Sequence, residues 1–393
     1  MTSESSTQES SPITQLSPGA DAMNSESSLS CRISDALKTQ YVADALAMPV
    51  HWYYNPLDIE KAFPGGVQRF EAAPAFHPSS IMSLHSTTGG GRRHAREGTA
   101  EQPQVVGDVI LKGRATFWNV PNVHYHQGME AGENTLNAHC ARVLMRTLAA
   151  GQGHYAAREF LDAYIGFMIA DPPRHPDTYA ESYHRGFFSN LTKGVPPEKC
   201  AMVTHDTPSV GGLVTVATLV FTQRLRGAGV QEIQDVCRQH VWLTHPDESL
   251  LQVCDRYVAL LCGLMESADD SEVAELIARA AKGKTGLDVV ALVKRNLPDS
   301  QVVGRLYSPA CYISDSWPVV LYLAYKYRQD PWLALRVNTN LGGDNVHRGM
   351  VLGSILGLLN GDVAASWFGQ LAAHQAIEEE IDALISAATA PRR

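Results

Sequence analysis

One apolar segment near the carboxyl end of the chain has a glycine at every fourth position, namely Gly349, Gly353, Gly357 and Gly361. Residues four apart lie on the same face of an α-helix, so this spacing predicts a helix with a glycine ridge along one side. A glycine ridge lets neighbouring backbone approach closely because no Cβ atom is in the way. The segment therefore predicts a buried helix in a tightly packed, helical interior.

The residues just before this helix are polar, and residues 338–349 read NTNLGGDNVHRG. The double glycine allows a tight turn and a close approach to a ligand. Asp344 or Asn345 then occupies the helix cap, where free N–H groups and the positive end of the helix dipole point outward. Asp344 and His347 are three residues apart and share the first turn. The segment predicts a polar ligand site, although a turn and cap without chemistry has the same pattern.

Helical periodicity dominates the chain from Ile33 onward, and no long window shows strand alternation or an internal repeat. We predict an all-α fold, with a single globular multi-helix domain over residues 31–390. Residues 1–30 are about one-third Ser, which predicts a disordered tail. Residues 50–131 are rich in Gly, Pro and His and predict a long irregular insertion. The predicted helices cover residues 32–48, 133–149, 157–170, 209–226, 230–243, 248–267, 271–282, 286–296, 312–328, 345–360 and 362–388.

The net charge and the cysteine pattern limit the classes of binding partner and the cellular compartment that we expect. The net charge is −9 and no Lys/Arg-rich stripe offsets it, which argues against nucleic-acid or anionic-membrane binding. No apolar run has the length of a membrane span. The seven cysteines are scattered without CxxC spacing, which indicates core thiols in a reducing compartment. The first residues lack the features of a signal or transit peptide. We expect a cytoplasmic protein, and the sequence leaves its oligomeric state open.

Three further polar clusters interrupt the apolar helices. Asp44 lies among small apolar residues near the end of the first predicted helix, and His51 follows it. A buried carboxylate requires hydrogen-bond partners or a cation, so Asp44 is either a structural cap or a metal ligand. His124 and His126 could ligate a metal if this segment is extended, although such a pair is more often structural. Glu133 and Asn134 open a helix, and His205 stands before another.

No nucleophile elbow, P-loop, zinc-protease helix or dinucleotide fingerprint occurs in the sequence. The remaining candidates are carboxylate, amide and imidazole groups at helix ends. Such groups bind cations, phosphates and sugar hydroxyls.

These clusters, in this order and followed by the glycine-ridged helix, resemble the ADP-ribosylglycohydrolase family over nearly the whole chain after the tail. The resemblance implies an all-α fold. It also implies an enzyme that binds ADP-ribose with two Mg²⁺ ions and cleaves its bond to a protein side chain or a small group. The closest pattern is a divergent branch similar to the J1 crystallins, some of which are structural proteins.

The chain departs from the family pattern at several metal positions. The family's closing motif Gly-Gly-Asp-Thr-Asp-Thr reads GGDNVH at residues 342–347, so Val346 replaces an acid and His347 replaces a threonine. The family's Thr-Asp-Asp-Thr reads GENT at residues 132–135, and the acidic position after the first helix is His51. Valine cannot bind a hard cation, and histidine favours softer metals. We therefore expect one Mg²⁺ or Mn²⁺ ion, or none.

From this resemblance we predict a hydrolase that cleaves a ribosyl glycosidic bond of an ADP-ribosylated protein or an ADP-ribosyl small molecule. The alternative is a catalytically silent ADP-ribose-binding or structural relative. The predicted catalytic residues are Glu133, Asp344 and His51. The predicted metal ligands are Asp44, Glu133, Asn134, Asp344 and His347. The predicted substrate contacts are Gly89, Gly90, Gly91, His124, His126, His205, Asn345 and Arg348.

Overall fold

The computed structural model describes residues 18–82, 104–204, 206–267, 269–283 and 286–391. In these ranges the chain forms helices α1 to α16, joined by turns and short 3₁₀ segments. The helices are α1 Pro18–Ala47, α2 Pro56–Ala62, α3 Leu136–Ala150, α4 Ala157–Met168, α5 Ser182–Thr192, α6 Val216–Leu225, α7 Val230–Trp242, α8 Glu248–Glu266, α9 Asp270–Lys282, α10 Val289–Lys294, α11 Asp299–Gln301, α12 Ile313–Tyr327, α13 Pro331–Asn340, α14 Asn345–Leu359, α15 Asp362–Trp367 and α16 His374–Thr389.

The predicted all-α fold class is confirmed. Across the described ranges, β-type pairing of the backbone is limited to isolated β-bridges, such as the one between Phe76 and Val123. Most predicted helices are present, but α5 and α13 were not predicted. Helix α1 begins at Pro18 and not at residue 32, so the prediction of its start was wrong. The division of the chain at residue 30 into a tail and a domain stays a prediction.

Two other predicted segments differ in detail from the structure. The single helix predicted over residues 362–388 is two helices, α15 and α16, separated by the 3₁₀ turn Phe368–Gln370. The predicted irregular segment at residues 50–131 contains one α-helix, α2, in its described part. Asn55 caps α2 by accepting a hydrogen bond from the Leu57 N–H, and proline follows at the first helical position.

The glycine ridge of α14 packs directly against α1. A Cβ atom added at Gly353 would lie 2.9 Å from the Thr39 carbonyl oxygen. A Cβ atom added at Gly357 would lie 2.6 Å from the Ala36 Cα atom. Both distances are shorter than normal van der Waals contact, so only glycine allows the two helix backbones to approach this closely. This packing places the end of α1 beside the start of α14.

The chain leaves α1 through a 3₁₀ turn at Met48–Val50, where Pro49 prevents the α-helix from continuing. The next residues pair with the double-glycine turn before α14. Trp52 N donates to the Gly343 carbonyl at 2.8 Å, and Gly343 N donates to the Tyr53 carbonyl at 2.7 Å. Gly342 and Gly343 both have positive φ, 66° and 65°, a conformation that favours glycine. These contacts bring His51 next to Asp344.

Within the described parts of the chain, none of the helices taken singly combines the length and the apolar composition needed to cross a membrane. Asn345–Leu359 and Asp362–Gln370 meet those criteria only as a pair, and they are bent by 111° at the break between them.

Candidate active site

Asp344 is the N-cap residue of α14, as the sequence predicted for Asp344 or Asn345, and its side chain is fully buried. Its side chain makes no capping hydrogen bond to the helix. It faces two histidines instead. His51 Nε2 lies 3.0 Å from Asp344 Oδ1, and His347 Nδ1 lies 2.8 Å from the same oxygen. One nitrogen from each ring and one carboxylate oxygen all lie within 4.8 Å of one another.

Burial and charge shift the pKa values of these three groups in different directions. Burial lowers the pKa of His51 well below its usual value, and the hydrogen bond to Asp344 offsets this only in part. Burial also lowers the pKa of His347, but Asp344 and Glu181 outweigh it and raise that pKa to about 10. Burial raises the pKa of Asp344, whereas the two histidines outweigh it and hold the pKa below its usual value. Asp344 is therefore ionised at neutral pH.

The other ring nitrogen of each histidine also has a partner. His51 Nδ1 lies 2.8 Å from His126 Nε2, and His126 Nδ1 lies 2.8 Å from Asp177 Oδ1. Asp177 Oδ2 accepts a hydrogen bond from the Leu136 N–H at 2.7 Å, at the start of α3. These contacts connect the Asp344 carboxylate to the amino end of α3 through two buried imidazoles.

His347 is held on its far side by Glu181 and Asn137. His347 Nε2 lies 3.2 Å from Glu181 Oε1 and 2.5 Å from Asn137 Nδ2. A protonated Nε2 donates to Glu181, whereas a neutral Nε2 accepts from Asn137. Asn137 Oδ1 in turn accepts hydrogen bonds from Tyr183 Oη at 2.5 Å and His184 Nε2 at 3.0 Å. The orientation of the His347 ring is therefore fixed on both sides.

The donor atoms fit a divalent cation. An ion bound by His51 Nε2, Asp344 Oδ1 and His347 Nδ1 would displace the Nδ1 proton of His347 and take the lone pair of one nitrogen in each ring. The remaining N–H of His51 would donate to His126, and that of His347 would donate to Glu181. Metal-bound histidines usually have such a hydrogen-bonded partner. The Asp344 Oδ2 atom is buried without a hydrogen-bond partner, which also fits coordination of an ion.

The same donor set bears on the identity of the ion. Mg²⁺ and Mn²⁺ prefer oxygen ligands, whereas imidazole nitrogens suit Zn²⁺ and Fe²⁺. Two nitrogens and one carboxylate form a set that is typical of catalytic zinc and non-haem iron sites. The donor set therefore suits Zn²⁺ or Fe²⁺ better than the Mg²⁺ or Mn²⁺ expected from the sequence.

Ring stacking covers one side of this centre. The Trp52 ring lies over His51 with a centroid distance of 3.6 Å and an interplanar angle of 19°. Trp52 has a φ of 61°, which is costly for a residue other than glycine. Tyr125 and Tyr179 contact the Trp52 ring edge-to-face at 4.7 Å and 5.1 Å. Aromatic packing and the hydrogen bond to Gly343 together hold this strained residue in place.

Asp44 was predicted to be a metal ligand, and in the structure its carboxylate oxygens accept hydrogen bonds from protein groups. Asp44 Oδ2 accepts hydrogen bonds from Asn134 Nδ2 and the Thr135 N–H, both at 2.9 Å, and Oδ1 accepts from Thr135 Oγ1 at 2.6 Å. Burial raises its pKa, and the same hydrogen bonds partly offset that effect. Asp44 is thus hydrogen-bonded to the two residues just before α3, and its role as a metal ligand stays a prediction.

Glu133 and Asn134 were predicted to bind the metal with Asp44. Glu133 Oε2 accepts a hydrogen bond from the Glu130 N–H at 2.8 Å, outside the histidine cluster. Asn134 donates to the Tyr41 carbonyl and to Asp44, while its Oδ1 atom is buried without a partner. The group of residues that fits an ion includes Asp344 and His347 from the prediction, together with His51.

Arg348 and Asn345 were predicted to contact substrate, but both are fully buried and bind the protein itself. Arg348 Nε donates a hydrogen bond to Asn338 Oδ1 at 2.7 Å, and Arg348 Nη2 donates one to the Gly342 carbonyl at 2.9 Å. Burial lowers the pKa of Arg348 to about 10, and it stays charged at neutral pH. Asn345 Nδ2 donates to the Thr339 carbonyl at 2.8 Å. Both residues hold the double-glycine turn in shape.

The histidine pair of the insertion divides between two roles. His124 Nε2 lies 3.1 Å from the Pro49 carbonyl, and its Nδ1 accepts from the His126 N–H at 3.0 Å, so His124 is structural. His126 belongs to the chain of contacts between His51 and Asp177. The predicted substrate contacts at Gly89, Gly90, Gly91 and His205 lie outside the described residues.

Sequence reasoning missed Asp177, Glu181 and Asn137. Asp177 and Glu181 lie in residues 175–184, which read HPDTYAESYH. This run of acidic, aromatic and histidine residues at the start of α5 was the sequence signal for a polar site. It was overlooked because α5 itself was not predicted, which left the segment without a structural context.

Comparisons with known proteins agree on the fold. A family model described as ADP-ribosylglycohydrolase matches residues 25–393. Among solved structures, the chain is similar to one described as an ADP-ribosylglycohydrolase-related protein complex, with a TM-score of 0.54 and 15% sequence identity. That match covers 92% of this chain and 99% of the other, and at this identity it establishes the fold alone. No curated protein sequence matches the chain. Similarity to the J1 crystallin branch stays a prediction.

Proposed function

Since the chain belongs to the ADP-ribosylglycohydrolase family, we propose that it hydrolyses the glycosidic bond between ADP-ribose and a protein side chain or small leaving group. The observation that carries this proposal is the convergence of His51, Asp344 and His347 from two distant segments, with donor atoms within 4.8 Å of one another. Family membership supports a hydrolase, while the ADP-ribosyl substrate and the need for a metal are parts of the proposal.

A divalent cation held by these three residues would lower the pKa of a water molecule at an open coordination position. The residues themselves have separable tasks. Asp344 supplies the negative charge that would attract the cation, and the buried Arg348 guanidinium holds the turn before it through Asn338 and Gly342. His126 and Asp177 fix the tautomer of His51, and Glu181 does the same for His347. Such outer partners typically change metal affinity or activity by about 10–100-fold when removed.

Glu181 is the group best suited to accept a proton from the attacking water. Its side chain is 15% exposed, and Oε1 contacts His347. Its Oε2 atom has no hydrogen-bond partner and lies 3.6 Å from His184 Nε2, beyond hydrogen-bond distance. A carboxylate oxygen that lacks a donor beside a candidate metal ligand is positioned for general-base catalysis.

The test is turnover by the metal-stripped protein after addition of Mn²⁺, Zn²⁺ or Mg²⁺. The substrates are ADP-ribosyl-arginine, ADP-ribosyl-serine and O-acetyl-ADP-ribose. Asp344→Asn keeps the shape of the side chain and should lower kcat/KM by more than about 100-fold, because a direct ligand matters more than an outer partner. Asp288→Asn is the matched control. Asp288 caps α10 through the Ala291 N–H, and asparagine caps equally well.

Wild-type turnover in Asp344→Asn, or no turnover of any substrate with any ion, would contradict the proposal. In the second case, thermal unfolding with ADP-ribose distinguishes the alternatives. A ligand at about 100 times its Kd adds about 2.7 kcal/mol of stability. A shift without turnover identifies a silent binding protein, and no shift identifies a structural relative.

A further inference from the structure

A separate cleft of about 660 Å³ lies between α3, α4 and the segment that follows α4. The later turns of α3 form one wall, from His139 to Ala150. The first turn of the same helix belongs to the candidate active site through Asn137. Cleft and active site thus share one helix, but they use different turns of it.

The cleft is rich in positive charge, although the whole chain is acidic. Its lining includes Arg142, Arg146 and Arg174. The first two share one carboxylate: Arg142 Nε and Nη2 lie 2.8 Å and 3.0 Å from Glu380 oxygens, and Arg146 Nη1 lies 2.7 Å from Glu380 Oε1. Arg174 is exposed, and the structure records no ion pair for it among the described residues. Three guanidinium groups against one carboxylate leave two positive charges uncompensated.

A buried histidine beside the cleft, His175, adds two ring nitrogens that lack hydrogen-bond partners. His175 is only 4% exposed, and neither of its ring nitrogens has a hydrogen-bond partner. Its ring lies 5.5 Å from the Phe167 ring and 6.3 Å from the His139 ring, both of which line the cleft. Burial lowers the pKa of His175 to about 4 and that of His139 to about 3, so both rings are neutral N–H donors at pH 7. A buried polar group without a partner is costly unless a ligand satisfies it.

We propose that this cleft binds a small phosphorylated molecule of nucleotide size. A phosphate dianion matches the two uncompensated charges, and guanidinium groups bind phosphate oxygens with two parallel hydrogen bonds. Phe167, Val143 and Ala163 supply an apolar wall for the rest of the ligand. The volume lies within the range of about 300–1,000 Å³ that is usual for sites of small molecules.

The position of the cleft connects ligand binding to the active site. Arg174 precedes Asp177 by three residues, and Asp177 binds both His126 and the Leu136 N–H at the start of α3. A phosphate held between Arg146 and Arg174 would fasten α3 to the segment that carries Asp177. Occupation of the cleft therefore stabilises the hydrogen bonds that orient His51, and the ligand acts as an effector at a second site.

The test is isothermal titration of the full-length protein with AMP, ribose 5-phosphate, inorganic phosphate and adenosine. AMP should bind more tightly than phosphate, and adenosine should not bind. The double variant Arg146→Ala/Arg174→Ala should weaken AMP binding by about tenfold for each guanidinium group removed. Both side chains are largely exposed, so the fold should be retained.

A matched control separates the cleft from other surface sites. Arg158→Ala removes an exposed arginine of α4 that pairs with Asp162 at 3.0 Å, and it should leave AMP binding unchanged. An unchanged Kd in the double variant would overturn the proposal. So would the absence of binding by every probe at millimolar concentration, or a Kd for phosphate equal to that for AMP.

Discussion

The contact between α1 and α14 offers the sharpest test of how this fold positions its candidate site, and Gly357→Ala perturbs it with a single methyl group. An added Cβ atom would lie 2.6 Å from the Ala36 Cα atom and 2.7 Å from the Asp35 carbonyl oxygen. Both neighbours are backbone atoms of α1 and cannot rotate away. The two helices must therefore separate or slide before the methyl group fits.

The magnitude follows from two opposing terms. Overpacking of this kind costs about 1–3 kcal/mol, and rigid backbone neighbours favour the upper half of that range. Alanine is a better helix former than glycine and returns about 0.5–1 kcal/mol. We expect Gly357→Ala to lower the free energy of unfolding by about 1–2.5 kcal/mol.

Gly166→Ala is the matched control, because Gly166 lies within α4 and an added Cβ atom would have no neighbour within 4 Å. This variant should gain about 0.5–1 kcal/mol from helix propensity alone. Urea unfolding followed by circular dichroism measures both changes. The reasoning is refuted if Gly357→Ala is as stable as wild type, or if the two variants shift the urea midpoint in the same direction.

Three further predictions concern buried polar groups. Asp44→Asn should lower the free energy of unfolding by about 1–3 kcal/mol, because an amide donor would face the donors of Thr135. The cation affinity of this variant, measured by titration, should equal that of wild type. A large loss of cation affinity would show that Asp44 is a ligand. Arg348→Met should lower the free energy of unfolding by about 3 kcal/mol or more, since it leaves the buried Asn338 Oδ1 and Gly342 carbonyl acceptors without their donors. A near-neutral effect in urea unfolding would contradict this. Burial raises the pKa of Asp299, but hydrogen bonds from Lys326 and two tyrosines outweigh it and hold the folded-state pKa below its usual value. A carboxyl group whose pKa is lower in the folded state stabilises the fold at pH values above its unfolded-state pKa of about 3.9. This stabilisation is lost as the pH falls through the folded-state pKa. The stability difference between wild type and Asp299→Asn should therefore be full at pH 7 and shrink below about pH 4, and a constant difference across that range would contradict the assignment.

The fold was readable from the sequence where a local pattern determined it. The glycine spacing of α14 predicted a buried helix, and the structure confirms it with Gly353 and Gly357 against α1. Helices α5 and α13 were missed. The α5 sequence SYHRGFFSNLT has a polar and aromatic composition that matches no simple apolar stripe, yet most of its residues are buried. Its burial depends on neighbours that are distant in sequence.

The candidate site was predictable only in part for the same reason. Asp344, His347 and His51 stood out because each lies at a helix end or turn within a segment that resembles the family pattern. The partners of a buried polar residue depend on the tertiary fold, however. Arg348 has the sequence context of a ligand-binding residue, but its guanidinium group donates hydrogen bonds to Asn338 and Gly342. Asp177 had no local pattern that would connect it with His126.

The most direct test of the central claim is a crystal structure of the protein grown with Mn²⁺ or Zn²⁺, with anomalous scattering measured at the absorption edge of the metal. We predict one anomalous peak about 2.0–2.2 Å from His51 Nε2, His347 Nδ1 and the Asp344 carboxylate. The absence of a peak at these atoms, or a peak beside Asp44 and Glu133 instead, would contradict the account.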